Sequence, residues 1–346
     1  MPRMPALSRL RIDPYIVAIL ATVLVASMLP ARGTVATCFH YATITVIGFL
    51  FFLYGARLST KQALDGLRHW RLHSIVLAST YVVFPLLGLA ARLLVPGVLT
   101  PELYAGLMFL CCLPSTVQSS IAFTSIAKGN VAAAICSASL SNLIGIVLTP
   151  VLVALCLFTR GGGGVSLDSV RDITLQLLLP FLTGQLLRRW IGGVVTRHKK
   201  VLGLVDRGSI LLVVYAAFSQ GVVAGIWGRL TPLSLVLLLV VNTALLAIVL
   251  MATTFAARRL DFSREDEITI VFWGSKKSLA SGVPIATVLF PAATVGLIVL
   301  PLMLFHQIQL MVCAWLARRY ATRPLAGTPA GDNMSCAFQR SDRADH

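Results

Sequence analysis

The sequence predicts an all-α integral membrane protein of ten transmembrane helices in two inverted five-helix repeats. Three observations carry this reading. The 346-residue chain is 57% hydrophobic and only 12% charged, with a mean hydropathy of +0.85. Its apolar residues fall into runs of the length that crosses a bilayer as a helix, about 20 residues. Two of those runs are interrupted by helix-breaking residues at matching places in the two halves, the sequence signature of a transporter binding site.

Ten runs qualify: 13–30, 41–57, 73–95, 102–127, 130–158, 173–191, 206–227, 232–257, 267–290 and 292–317. No small-residue cleavage pattern follows the first, so it reads as a retained helix rather than a signal peptide. The second closes on Phe52-Leu-Tyr-Gly55, echoed in the seventh by Phe218-Ser-Gln-Gly221. The fourth is broken at Pro114-Ser115-Thr116 and the ninth at Gly274-Ser275. Gly161–Gly164 falls near the middle of the chain. The expected organisation is a first repeat over 1–160, an external Gly-rich linker over 161–168, a second repeat over 169–322 and a disordered cytoplasmic tail over 323–346. Five spans per half is an odd number, so the second half lies upside down relative to the first.

Charge sets the orientation. With the N-terminus in the cytoplasm, 22 of the 29 Lys and Arg fall on the inside and five outside. That asymmetry puts both termini in the cytoplasm. The net charge of +16 is therefore spread over short loops, which argues for contact with membrane lipid and against nucleic acid. The seven cysteines show no ligand spacing and read as small apolar residues, with no metal site.

Four groups of residues carry candidate chemistry. In the fourth run Pro114 removes a backbone donor and frees a carbonyl about one turn earlier. Ser115 or Thr116 is expected to cap the restarting helix, and Gln118, Ser119, Ser120 and Thr124 add polar groups. A helix N-terminus at membrane depth suits an anion. The bland alternative is a proline kink whose hydroxyls bond back to their own helix.

In the ninth run Gly274 is expected to permit an unwound turn and Ser275 to cap the second half-helix. Lys276, Lys277 and Ser278 follow. A Lys at a helix centre costs about 2.5–3.5 kcal/mol on insertion scales, so two adjacent ones call for a polar cavity. Neighbouring helical residues point about 100° apart. One Lys is expected to face the substrate, and the other to pair with freed carbonyls or reach an interface.

In the fifth run Ser137 and Ser141 share a face, beside Ser139 and Asn142. They suit ion coupling or, equally, close helix packing. In the tenth run His306, with Gln307 and Gln309, is a candidate proton carrier. Asp266 and Glu267, at the start of the ninth run, read as solvated helix-capping acids. No acid falls mid-span, and no nucleotide-binding, metalloprotease or zinc spacing is present, so neither an enzyme nor an ATP-driven pump is expected. A cation/proton antiporter would need buried carboxylates.

At Leu113-Pro-Ser-Thr-Val-Gln-Ser-Ser-Ile-Ala122 and Phe272-Trp-Gly-Ser-Lys-Lys-Ser-Leu-Ala-Ser-Gly-Val-Pro284 the chain resembles the bile acid:sodium symporter superfamily. It most resembles the bacterial branch of sodium-dependent transporters related to the seventh member of the animal bile-acid carrier family. The resemblance covers roughly residues 10–322 and implies a bacterial inner-membrane location. It also implies a panel domain from spans 1, 2, 6 and 7, and a core from spans 3–5 and 8–10. Broken helices four and nine then cross in the core, with organic anions bound near the crossing.

Sodium-coupled members place hydroxyl and amide groups of the fourth and fifth helices, with an acid and a glutamine of the ninth, around two sodium ions. Here the fifth-helix hydroxyl positions become Ala134 and Ala138. The acid falls near Phe272 and the glutamine near Lys276. A Lys ammonium could stand in a sodium site as a tethered cation, and Lys276, nearest the glutamine, is expected to be the more sensitive of the pair.

The expected function is a secondary transporter of a small organic anion by alternating access, coupled to sodium, to a proton or to neither, and working as monomer or homodimer. A non-transporting membrane regulator is the second reading.

Overall fold

The computed structural model describes residues 14–57, 69–158, 167–225, 228 and 230–322. Gly161–Gly164 and the tail at 323–346 lie outside the described residues. Helices alone make up the regular structure among those described. They are α1 (Pro14–Met28), α2 (Gly33–Arg57), α3 (Trp70–Leu94), α4 (Pro101–Cys112), α5 (Val117–Ile126) and α6 (Val131–Val153). The second half holds α7 (Leu167–Arg197), α8 (Lys199–Val223), α9 (Pro232–Arg259), α10 (Arg264–Gly274), α11 (Leu279–Leu289) and α12 (Ala292–Thr322).

Each expected run coincides with one helix or, at the fourth and ninth, with a pair. α7 begins at Leu167. By length and apolarity alone α2, α3, α8, α9 and α12 can cross a membrane. The count is seven if α4–α5, bent by 61°, and a bent α6 each form one span. Apolar side chains cover the outside of the bundle, among them Leu93, Leu186, Leu204, Leu24 and Met251. Such a surface suits lipid and not water. The protein is a multi-pass, all-helical membrane protein.

Helix ends follow local chemistry. Thr100 accepts from Leu103 N–H at the start of α4, with Pro101 in the first turn. Asn130 accepts from Ala133 N–H at the start of α6. Thr231 and Ser263 cap α9 and α10 in the same way. These hydroxyl and amide caps satisfy N–H groups that have no partner within the helix.

α1, α2, α7 and α8 pack on one another. α2 and α7 approach most closely, through a reciprocal pair of glycines. A Cβ on Gly55 would lie 2.0 Å from Phe181 O, and one on Gly184 would lie 2.0 Å from Phe52 O. Phe52-Leu-Tyr-Gly55 thus packs against Phe181-Leu-Thr-Gly184 of α7. α8 ties down the α1–α2 turn, where Tyr215 OH donates to Leu29 O at 2.7 Å and Ser219 Oγ accepts from Ala31 N–H. At the far end of α2, Arg57 pairs with Asp206 of α8.

The remaining helices gather around the two interrupted pairs. Phe84, Phe109, Phe305, Leu107 and Leu302 belong to the large buried cluster there. Against the expectation of solvated caps, Asp266 accepts from Asn130 Nδ2 at 2.9 Å. Glu267 pairs with Arg258 and accepts from Tyr320 OH at 3.0 Å. These acids tie the start of α10 to α6, α9 and α12.

Candidate functional site

The breaks between α4 and α5 and between α10 and α11 meet. Ser278 N–H donates to Pro114 O at 2.9 Å, and Thr116 Oγ1 donates to Lys277 O at 2.6 Å. The residues concerned, Leu113–Ser115 and Ser275–Ser278, are buried.

The four C-terminal carbonyls of α10 all find hydroxyl donors. Ser275 Oγ reaches back to Val271 O, and Ser120 Oγ donates to Phe272 O. Ser115 Oγ donates to Trp273 O at 2.8 Å, and Ser79 Oγ to Gly274 O at 2.7 Å. Buried carbonyls at a helix end need such partners. Ser115 and Thr116 therefore brace the crossing instead of capping α5, and Thr116 makes no side-chain cap. Ser278, not Ser275, caps α11 by accepting from Ser281 N–H at 3.1 Å. Gly274 is the last helical residue of α10, and close packing explains it: a Cβ would lie 2.8 Å from the Thr253 methyl and 3.2 Å from Ser79.

The two lysines sit in a non-helical stretch and reach different neighbours. Lys277 Nζ donates to Thr80 O at 2.8 Å, Cys111 O at 2.9 Å and Leu113 O at 2.7 Å, with the Phe84 ring at 4.1 Å. Lys276 Nζ lies 4.0 Å from the Phe123 ring centre and 5.5 Å from that of Phe272. Its hydroxyl contact, Ser119 Oγ, is long at 3.5 Å. Lys277 thus takes the freed carbonyls, while Lys276 is held by aromatic faces beside the first turn of α5. Gln118, on that turn, is exposed, and Ser119 is half-buried.

Gln309 completes the crossing. Lys277 N–H donates to its Oε1 and its Nε2 donates to Lys277 O, both at 2.9 Å. Those bonds fix the amide orientation, so Nε2 donates to His306 Nδ1 at 2.8 Å. His306 thus joins the network through Gln309.

Of the fifth-run residues, Ser141 Oγ accepts from Ser115 N–H at 3.3 Å, and its carbonyl accepts from Tyr81 OH at 2.8 Å. Ser137 instead meets His73, at 2.9 Å, away from the crossing. The side chains of Ser139 and Asn142 lie outside the described residues. Ala134 and Ala138 pack in an apolar cluster with Leu72, Val76, Ile270 and Trp273.

Sequence reasoning missed Ser79, Thr80 and Phe84, and left Gln309 out of the site. One signal for Thr80 was present. α3 widens into a π turn over Ser79–Val83, in which each carbonyl looks five residues ahead. Five after Thr80 stands Pro85, which has no N–H to give.

On the far side of α11 a cavity of about 220 Å³ lies between α2, α8 and α12, lined by His40, Thr43, Ile47, Gln220, Thr287 and Val295.

Comparison with known proteins fits these features. The chain is 59% identical over 311 residues to "Uncharacterized protein PA2026" of Pseudomonas aeruginosa, covering 90% of this chain and 93% of the relative. It is 54% identical over 309 residues to "Putative symporter YfeH" of Escherichia coli (strain K12), covering 89% and 93%. It is 29% identical over 321 residues to "Sodium/bile acid cotransporter 7" of Rattus norvegicus, covering 89% and 92%. A profile of the SBF-like CPA transporter family matches residues 13–322, and the chain belongs to that family.

Proposed function

We propose that the protein is a secondary transporter that moves a small organic anion across the bacterial inner membrane by alternating access, with ten spans and both termini in the cytoplasm. The observation that carries this reading is the meeting of two broken helices around two buried lysines. A bilayer-depth crossing of broken helices is tolerated where it lines a solute path. α1, α2, α7 and α8 would form the panel, and the cavity at Thr43 and Thr287 the gap through which the two groups part.

Lys276, Ser119, Gln118 and the first N–H groups of α5 would hold the anion. Ser115, Thr116, Ser120, Gly274, Ser275 and Ser278 would keep the crossing rigid. The names of the relatives, a symporter and a sodium/bile acid cotransporter, support transport and an organic anion. A proton carried by His306 is the favoured coupling, because His306 touches the crossing through Gln309. Ser141 braces the same crossing.

The test is a thermal-shift screen of purified protein against carboxylates, organic sulfates and a conjugated bile acid, followed by uptake of each hit into proteoliposomes. Binding with uptake supports the reading. Binding without flux favours the regulator, and no binding from the whole panel rejects an anion site.

A further inference from the structure

We infer that the Lys277 ammonium is a built-in monovalent cation: it fills a nest of backbone carbonyls that takes a small free cation once the side chain is removed. The nest is defined by its donors and acceptors. An ammonium has three N–H bonds. All three of Lys277 end on main-chain carbonyls, those of Thr80, Cys111 and Leu113, at 2.7–2.9 Å.

Each carbonyl is vacant for a stated reason. Thr80 faces Pro85 across the π turn. Cys111 lies in the last turn of α4, where position 114 is proline and the N–H of Ser115 turns away to Ser141. Leu113 lies in the break itself. Phe84 closes a further side with its ring face, which attracts cations.

The charge type follows from what surrounds it. The contacts are carbonyl dipoles, the negative end of α4 and a ring face, with no carboxylate among them. Divalent metals take carboxylate ligands; carbonyl rings take monovalent ions. The nest joins α3, α4 and the second break, so its cation holds three elements together. Taking the charge away leaves three buried acceptors without a donor.

Lys277→Ala excises three methylenes' worth of chain with its ammonium, which n-propylammonium matches in shape. Lys277→Met fills the same space without charge. Melting temperatures of the purified full chain are measured in choline chloride, then in sodium, potassium and n-propylammonium chloride at equal ionic strength. Wild type should respond alike to all four salts. Lys277→Ala should be less stable in choline and regain about 5 °C in at least one of the other three. Lys277→Met should gain nothing from any.

A flat response of Lys277→Ala overturns the inference, as does an equal gain by wild type or by Lys277→Met. So does a Lys277→Ala protein that cannot be recovered in any salt, since the nest would then accept no free cation. The readout is stability, so its failure is distinct from failure of the transport reading, which the uptake assay tests.

Discussion

Gln309 holds the Lys277 peptide from both sides, accepting from its N–H and donating to its carbonyl at 2.9 Å each. A side-chain amide here does what a neighbouring strand does in a sheet, for one residue of a broken helix. Gln309→Ala leaves the buried Lys277 N–H unpaired, at roughly 1–3 kcal/mol, and leaves Lys277 O with Thr116 Oγ1 alone. The expected result is a melting temperature lower by roughly 5 °C or more. Gln309→Glu keeps the shape and loses the donation to Lys277 O and His306. It should therefore destabilise less than Ala and still impair uptake.

Lys276 separates binding from folding. Its ammonium has aromatic faces and one long hydroxyl contact. Lys276→Met removes a costly buried charge and keeps the chain's volume, so the protein should remain at least as stable. Anion-induced thermal stabilisation should vanish, and Lys276→Arg should restore part of it. Normal anion binding by Lys276→Met would remove this lysine from the site.

Sodium should matter little. Ala134 and Ala138 bring methyl groups where ligand oxygens would be needed, and both are enclosed in an apolar cluster. Replacing sodium by potassium or choline should change anion affinity by less than about threefold, or 0.65 kcal/mol. A steep, cooperative sodium requirement would mean that other oxygens, such as those of Ser141 and Gln118, have rebuilt the ion sites.

The apolar runs and the helices coincide because a long apolar segment has no other way to satisfy its backbone in lipid. Pro114 marks the first break because it has no N–H to give, and the glycine-serine pair at 274–275 coincides with the second break although Gly274 is there for close packing. The partners of the hydroxyls were not legible in this way. Ser115 and Thr116 were read as local caps, yet each donates more than 150 residues along the chain, to Trp273 and Lys277. Capping is a short-range rule, and it loses here to buried carbonyls brought in by tertiary packing. Gln309 was grouped with His306 and not with the breaks for the same reason: its role at the crossing exists only once α12 lies against the second break. The two lysines diverge as expected, but the carbonyls fall to Lys277, since the segment is not helical and helical spacing does not govern it.

The glycine pair between α2 and α7 makes a stability prediction apart from the site. In Gly55→Ala the new methyl would meet the carbonyl oxygen of Phe181 at 2.0 Å, and in Gly184→Ala that of Phe52 at the same distance. Backbone atoms within helices cannot step aside as a side-chain tip can. Overpacking costs roughly 1–3 kcal/mol, and each variant should sit at or above the upper end. Gly193→Ala, where a Cβ meets nothing within 4 Å, is the control and should melt like wild type. Since both substitutions push apart the same two helices, the double variant should cost less than the sum of the singles.

Orientation is open to a direct chemical test. From the excess of Lys and Arg, 161–168 are expected outside and 197–203 in the cytoplasm. Cys38 is exposed and Cys336 lies in the tail outside the described residues, so the experiment starts from the double variant Cys38→Ala, Cys336→Ala. Single cysteines introduced at 161–168 should react with a membrane-impermeant maleimide in intact cells. Those at 197–203 should react only after permeabilisation. α7 connects the two segments, running from Leu167 to Arg197, so one helix separates opposite outcomes. Labelling of both sets from outside would mean that α7 does not span the membrane. The reverse pattern would turn the protein over, placing α5 and its lysine-lined turn toward the other side. An odd number of crossings per half, on which the inverted repeat rests, requires 161–168 to lie on the side opposite to the N-terminus.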